Sequence, residues 1–209
     1  MEWKERLNVA IAVAEALTYL HEHNVVHGSM SSSNVLIGEH GDVYVAEYGL
    51  MHIATLLPLA KSNIVPYLAP ELVVNNYPDM PGFKYPKVVN PSADVYSFGI
   101  LLLELITRKP PPKMMTLSVT DKIADFKDDS NNSRHALLLQ SFEESRCEEQ
   151  WIAEVFYSKA MESEHIKEEV AKELFQVALT CVVNNAHARP KMIDVVSQIN
   201  ALNTKYTIP

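Results

Sequence analysis

The sequence predicts a mainly α-helical fold that carries one small β-hairpin, on three observations. Apolar residues recur at helical spacing near both ends of the chain, two short β-rich runs flank a glycine-bearing turn near residue 40, and a run apolar nearly all round occupies 95–106. From Leu7 to Leu20, the positions Leu7, Ala10, Ile11, Ala14 and Leu17 trace one face of a first long helix. Val25-Val26, Asn34-Val35-Leu36-Ile37 and Val43-Tyr44-Val45-Ala46 read as short strands. Gly38-Glu39-His40-Gly41-Asp42 joins the last two into a hairpin laid on that helix. Residues 50–93 are proline-rich and aperiodic, which predicts a loop anchored at Leu56-Leu57, Ile64-Val65 and Leu72-Val73-Val74. A helix enclosed by the core begins at Asp94, with Val95 to Ile106 inside it, and Pro110-Pro111-Pro112 is expected to end it. Residues 113–150 turn polar, least foldable across 125–133, and predict a mobile excursion or a partner-contacting loop. Two helices close the chain. One carries the stripe Ile166, Val170, Leu174, Val177, Ala178 and Cys181; the other carries Met192, Val195, Val196, Ile199 and Leu202, with Pro190 in its first turn.

Composition narrows the function. The 209 residues suit one compact domain, and 47% apolar against 21% charged residues is ordinary globular usage that supports a sizeable core. A net charge of −8 argues against binding nucleic acid or an anionic membrane. The glycines stand at 28, 38, 41, 49, 82 and 99, and this spacing holds no dinucleotide fingerprint, Walker loop, Gly-rich kinase loop or nucleophile elbow. Cys147 and Cys181 supply neither a disulfide framework nor a thiolate metal site, so a reducing cytosolic setting is expected. Met1 to Arg6 is charged and lacks a signal core, and the apolar run from Phe98 to Ile106, interrupted by Glu104, is too short to cross a bilayer.

The motifs then arrive in a fixed order: His27-Gly28-Ser29-Met30-Ser31-Ser32-Ser33-Asn34, Glu47-Tyr48-Gly49, Ala69-Pro70-Glu71, and Asp94-Val95-Tyr96-Ser97-Phe98-Gly99. This set resembles the C-terminal lobe of a eukaryotic protein kinase over the whole chain, 1–209, with 113–150 as an insertion within it. Trp3 to Leu7, Tyr19 to His23, Glu149 to Phe156 and Ala178 to Val182 look like plant leucine-rich-repeat receptor-like kinases of the atypical, pollen-receptor-like group. The strand-rich N-lobe of a kinase is not represented in these residues.

Against the kinase pattern H-R-D-x-K-x-x-N, His27 and Asn34 are kept. Gly28 stands for the arginine, Ser29 for the aspartate and Ser31 for the lysine. In phosphoryl transfer the aspartate accepts the proton of the attacking hydroxyl and the lysine offsets charge on the moving phosphoryl group. A serine hydroxyl at neutral pH does neither. The resemblance implies that Asn34 matches the second-metal ligand and Glu47 the D-F-G aspartate, so these two are the candidate magnesium and nucleotide ligands, needing an N-lobe to be useful. It further implies structural roles: a buried Glu71–Arg189 ion pair, Asp94 capping backbone amides of the His27 segment, and Tyr48 stacking with His27. Without the arginine at 28, phosphorylation at Thr55 or Ser62 is expected to leave hydrogen exchange of residues 47–71 almost unchanged.

The plainer readings are set beside these. His21 and His23 sit at a helix end, where polar residues suit the dipole better than they suggest a metal site. Ser29, Ser31, Ser32 and Ser33 are ordinary loop serines unless a base is beside them. Glu143 to Glu149 reads as solvated surface rather than a docking patch. The expected function is a catalytically impaired kinase-like module that works through protein partners such as a receptor kinase or its substrates. It is placed in the cytosol, or on the cytosolic face of the plasma membrane within a longer receptor. The alternatives are a Ser/Thr kinase fragment that binds ATP and magnesium once completed by an N-lobe, and a truncated gene model whose exposed apolar surface favours aggregation.

Overall fold

Helix α1 spans Trp3–Glu22. Its first turn is tied by the Glu2 amide donating to Glu5 Oε2 at 2.7 Å, the carboxylate half of a capping box. The predicted stripe holds: Leu7, Ala10, Ala14 and Leu17 are buried, together with Trp3, Val9 and Val13. The structure is a computed structural model that describes residues 1–50, 67–74, 89–108, 168–183 and 185–205. The expectations for Leu56-Leu57, Ile64-Val65, Thr55, Ser62, Cys147, the 113–150 excursion, the Glu143 to Phe156 stretch, Pro110 to Pro112 and Ile166 lie outside these residues.

After α1, Asn24 takes a left-handed conformation (φ 58) and the Val25 amide returns to the Leu20 carbonyl at 2.9 Å. Val25-Val26 therefore belongs to the helix exit and not to a strand, correcting the sequence reading. The hairpin consists of β1 (Val35–Ile37) and β2 (Val43–Val45), antiparallel with Val35 opposite Val45, Leu36 opposite Tyr44 and Ile37 opposite Val43. Asn34 falls in a 3₁₀ turn, Ser32–Asn34, ahead of β1. Alternation sends Val35, Val43 and Val45 toward the core, while Leu36 and Tyr44, paired across the ladder, share the exposed outer face.

The proline-rich stretch contains a short helix, α2 (Pro70–Val74), where composition predicts only a loop. Helix α3 runs Pro91–Thr107 and starts three residues before Asp94, because Asn90 Oδ1 accepts the Ala93 amide at 2.9 Å and Pro91 fills the first helical position. It stops ahead of the proline triplet, on Arg108 in the left-handed region (φ 58), whose amide donates to the Glu104 carbonyl at 2.8 Å. Helices α4 (Glu168–Cys181) and α5 (Met192–Lys205) complete the described residues, with a 3₁₀ turn at Ala186–Ala188 between them. Pro190 lies before α5 rather than in its first turn.

Helix α3 is the central element. It packs against α4 and α1, α5 closes over α1 and α4, and β2 rests on α1. Phe98, Leu101 and Leu102 of α3, Leu17 of α1, Val195 and Ile199 of α5 and Met30 from the loop are almost fully enclosed. Gly99 lets α3 and α4 meet backbone to backbone: a Cβ there would stand 2.7 Å from both Cys181 Cβ and Val182 Cγ1.

Candidate functional site

The His27–Asn34 loop is held by main-chain hydrogen bonds to one carboxylate. Asp94, in the first turn of α3 and 1% exposed, accepts the His27 amide at Oδ2 and the Gly28 amide at Oδ1, both at 2.8 Å. His21 Nε2 lies 2.9 Å from the same Oδ2, so the end of α1 and the start of α3 grip the loop together. Buried polar groups in this number are tolerated when they find partners. Gly28 sits at φ 80, a conformation that a side chain at this position adopts only with strain.

The two serines that align with the aspartate and lysine of the kinase pattern are inside the loop. Ser29 is 8% exposed, and its Oγ donates to the Glu47 carbonyl at 3.1 Å and lies 3.4 Å from His27 Nδ1. Ser31 is 1% exposed, with its Oγ 2.9 Å from Ser33 Oγ. Asn34 is buried, its Nδ2 donating to the Ser29 carbonyl at 2.8 Å and its own carbonyl accepting the Ala46 amide at 2.9 Å. These bonds sew the loop to the end of β2.

His27 is fully buried, and burial pushes its imidazole below the ordinary value of 6.5, against the opposing pull of the Asp94 and Glu47 carboxylates. The ring is therefore neutral at pH 7, with Nδ1 accepting the Ser29 amide at 3.3 Å. Ser29 and His27 are close enough to suggest a nucleophile and its base. Their arrangement argues otherwise: the hydroxyl is turned to a carbonyl in a nearly closed site, and Nδ1 is already taken by an amide.

Glu47 occupies a left-handed conformation (φ 63) between β2 and Gly49 (φ 73), and the Gly49 amide donates to the His27 carbonyl at 3.1 Å. This double turn carries Tyr48 out to the surface, where it is 57% exposed. The expected stack of Tyr48 on His27 is thus not formed; the ring joins Leu36, Tyr44 and Leu50 as exposed apolar surface. The carboxylate-bearing Glu47 is likewise exposed. Asn34 is buried with its amide nitrogen committed, whereas the Glu47 carboxylate is exposed; one amide oxygen and one carboxylate would be what these two residues could offer a magnesium ion. Such a pair would leave most of the ligands of a magnesium to phosphate and water. Among the described residues, no cluster of three or more His, Cys, Asp or Glu side chains is poised to hold a metal.

Away from the loop, Glu71 of α2 and Arg189 form a bidentate pair, Nη1 to Oε1 at 2.7 Å and Nη2 to Oε2 at 2.8 Å. The Arg189 side chain is 0% exposed, against 26% for Glu71. Its guanidinium also donates to the Val183 carbonyl at 2.7 Å and the Ser92 carbonyl at 2.9 Å, and stands 5.0 Å from the Tyr96 ring centroid. One arginine thereby joins α2, the start of α3 and the segment before α5.

Two features go beyond the sequence reading. His21 does more than suit the helix dipole, since it reaches Asp94. Tyr67 donates to Glu104 Oε2 at 2.5 Å, while Ser32 Oγ lies 2.9 Å from Tyr67 Oη and donates to Glu104 Oε1 at 3.3 Å. Burial and the Glu104 carboxylate push the Tyr67 phenol up to about 12. Glu104 is the lone charge in the apolar run 95–106, and that isolation is the sequence signal for a polar partner.

The sequence is similar to known proteins over most of its length. The family model described as protein tyrosine and serine/threonine kinase matches residues 1–199. A probable leucine-rich repeat receptor-like protein kinase of Arabidopsis thaliana is 34% identical over 203 residues, covering 95% of this chain and 26% of that protein. A probable inactive receptor kinase of the same plant is 30% identical over 210 residues, 99% of this chain and 28% of its own length. A proline-rich receptor-like protein kinase, also from Arabidopsis thaliana, is 31% identical over 203 residues, 94% of this chain and 35% of itself. The chain thus spans about a quarter to a third of these relatives.

Proposed function

Because this chain belongs to the protein tyrosine and serine/threonine kinase family, matched over residues 1–199, we propose that it is a catalytically impaired, pseudokinase-type module of receptor-like kinase signalling. It acts by holding protein partners rather than by transferring phosphate. The observation that carries this reading is the state of Ser29 and Ser31. Hydroxyls stand where the pattern requires a proton acceptor and a cation, and both are spent on hydrogen bonds within the loop region. The output is then surface. Leu36, Tyr44, Tyr48 and Leu50, in and just after the hairpin, are exposed apolar side chains that a protein partner could cover. Several relatives carry names that describe inactive receptor kinases, which supports the same reading. The partners fitting it are a receptor kinase or that kinase's substrates, met in the cytosol or at the cytosolic face of the plasma membrane. No described helix is long and apolar enough to cross a membrane.

A second reading is favoured by one observation, the exposed Glu47 carboxylate downstream of Asn34, and by the relatives named simply as receptor-like protein kinases. In it, Asn34 and Glu47 would hold magnesium and ATP once an N-lobe is present, the bound ion supplying charge neutralisation at the phosphates. One assay separates the two. The chain, alone and joined to a kinase N-lobe, is incubated with γ-labelled ATP and a protein substrate. The interaction module transfers no label above background; stoichiometric transfer that Glu47→Ala abolishes overturns it.

A further inference from the structure

We propose that Ser29 is a positioning residue, a latch that fixes the Glu47–Gly49 turn and thereby sets how Glu47, Tyr48 and Leu50 are presented. The turn is costly on its own terms: Glu47 holds φ 63 with a side chain that disfavours it, and Tyr48 and Leu50 leave apolar area in water. Something must over-determine it. Around Glu47, the Ala46 amide is tied to the Asn34 carbonyl and the Gly49 amide to the His27 carbonyl. The carbonyl of Glu47 itself is met by the Ser29 hydroxyl at 3.1 Å. Ser29 is well placed to hold it. Its carbonyl is clamped by Asn34 Nδ2 and its amide by His27 Nδ1, so the side chain leaves from a fixed backbone. His27 is in turn fixed through its amide to Asp94.

The chemistry of the position makes the inference specific. A hydroxyl can donate to the Glu47 carbonyl; an ionised carboxylate has no proton to give and would set two acceptors face to face. The residue that takes away the proton acceptor of phosphoryl transfer is therefore the same one that secures the turn. Returning aspartate to position 29 by itself releases the turn instead of restoring an active arrangement. The latch is independent of nucleotide and operates under either functional reading.

The test is residue-resolved amide hydrogen exchange on the full chain. Ser29→Ala and Ser29→Asp are each expected to speed exchange at Gly49, whose amide is held by the His27 carbonyl, by roughly fivefold, the worth of one hydrogen bond of about 1 kcal/mol. The amides of Leu101 and Leu102, in α3, stay at the wild-type rate. Ser29→Thr keeps the donor and retains wild-type protection in the turn. Ser29→Cys, nearly isosteric with a weaker donor, falls between Thr and Ala, and decides the matter if the alanine variant loosens the whole chain. Unchanged exchange at Gly49 in both Ala and Asp variants overturns the proposal, as does a Cys variant whose acceleration is uniform over turn and core.

Discussion

The helical body and the His27–Gly49 region are stabilised by different means. The body of α1, α3, α4 and α5 is held by enclosed apolar side chains from every helix, with Phe98, Leu17 and Ile199 at its centre. The loop region has few such contacts. Its fixed points are carboxylate, amide and hydroxyl groups: Asp94 on two amides, Asn34 on the Ser29 carbonyl, and Ser29 on Glu47. Non-directional burial tolerates exchange among residues of similar volume, whereas a polar lattice depends on each donor finding its acceptor. The positions that align with the kinase catalytic pattern sit in the second region, Ser29 and Ser31 among them. Ser29 and Ser31, which align with charged groups of the kinase pattern, each have a local partner, since a hydroxyl both gives and accepts a hydrogen bond.

The largest test of this contrast removes the ion pair between α2 and the body. Glu71→Ala leaves the buried guanidinium of Arg189 without its carboxylate, and is expected to cost about 3–5 kcal/mol of stability in a denaturant titration. A loss under about 1 kcal/mol would show that the Val183 and Ser92 carbonyls suffice for the charge. Next comes the body itself. Gly99→Ala drives a methyl into Cys181 and Val182 and is expected to cost about 1–3 kcal/mol, read as a lower melting temperature, with exchange protection in the Glu47–Gly49 turn unaltered.

The smallest effect belongs to the loop and appears as a dependence on pH. The unfolded chain protonates His27 near its ordinary value of 6.5, while the folded chain resists, its imidazole being lowered by burial. The unfolded state thus binds more protons below 6.5, and stability falls as pH drops through 6.5 toward the folded value. In His27→Asn, where Oδ1 takes the place of Nδ1, this contribution disappears. Urea midpoints measured from about pH 7.5 down to about 5.5 should decline more steeply for the wild-type chain than for the variant. Equal slopes would mean that His27 titrates alike in both states.

The same division explains what was legible in the sequence. The helices were visible because burial imposes a period, and Leu7, Ala10, Leu17, Val195 and Ile199 all lie where their stripes placed them. The exact stop of α3 was not, since Arg108 ends it by adopting a left-handed conformation that no residue type announces. Val25-Val26 carried strand propensity but no strand partner. Around the loop, resemblance located the residues, and the carboxylate of Asp94 meets the His27 and Gly28 amides it was expected to cap. Their side-chain directions were beyond it. Tyr48 points outward because the left-handed backbones on either side of it turn it there, and His21 reaches Asp94 because α1 and α3 are brought together by contacts far apart in sequence.

The close seam between α3 and α4 at Gly99 also bears on how this chain tolerates change. Thr107 ends one helix and Glu168 begins the other, so the pair is zipped shut by contacts of its own, whatever joins them. A change that thickens either face of this seam is therefore felt by both helices at once.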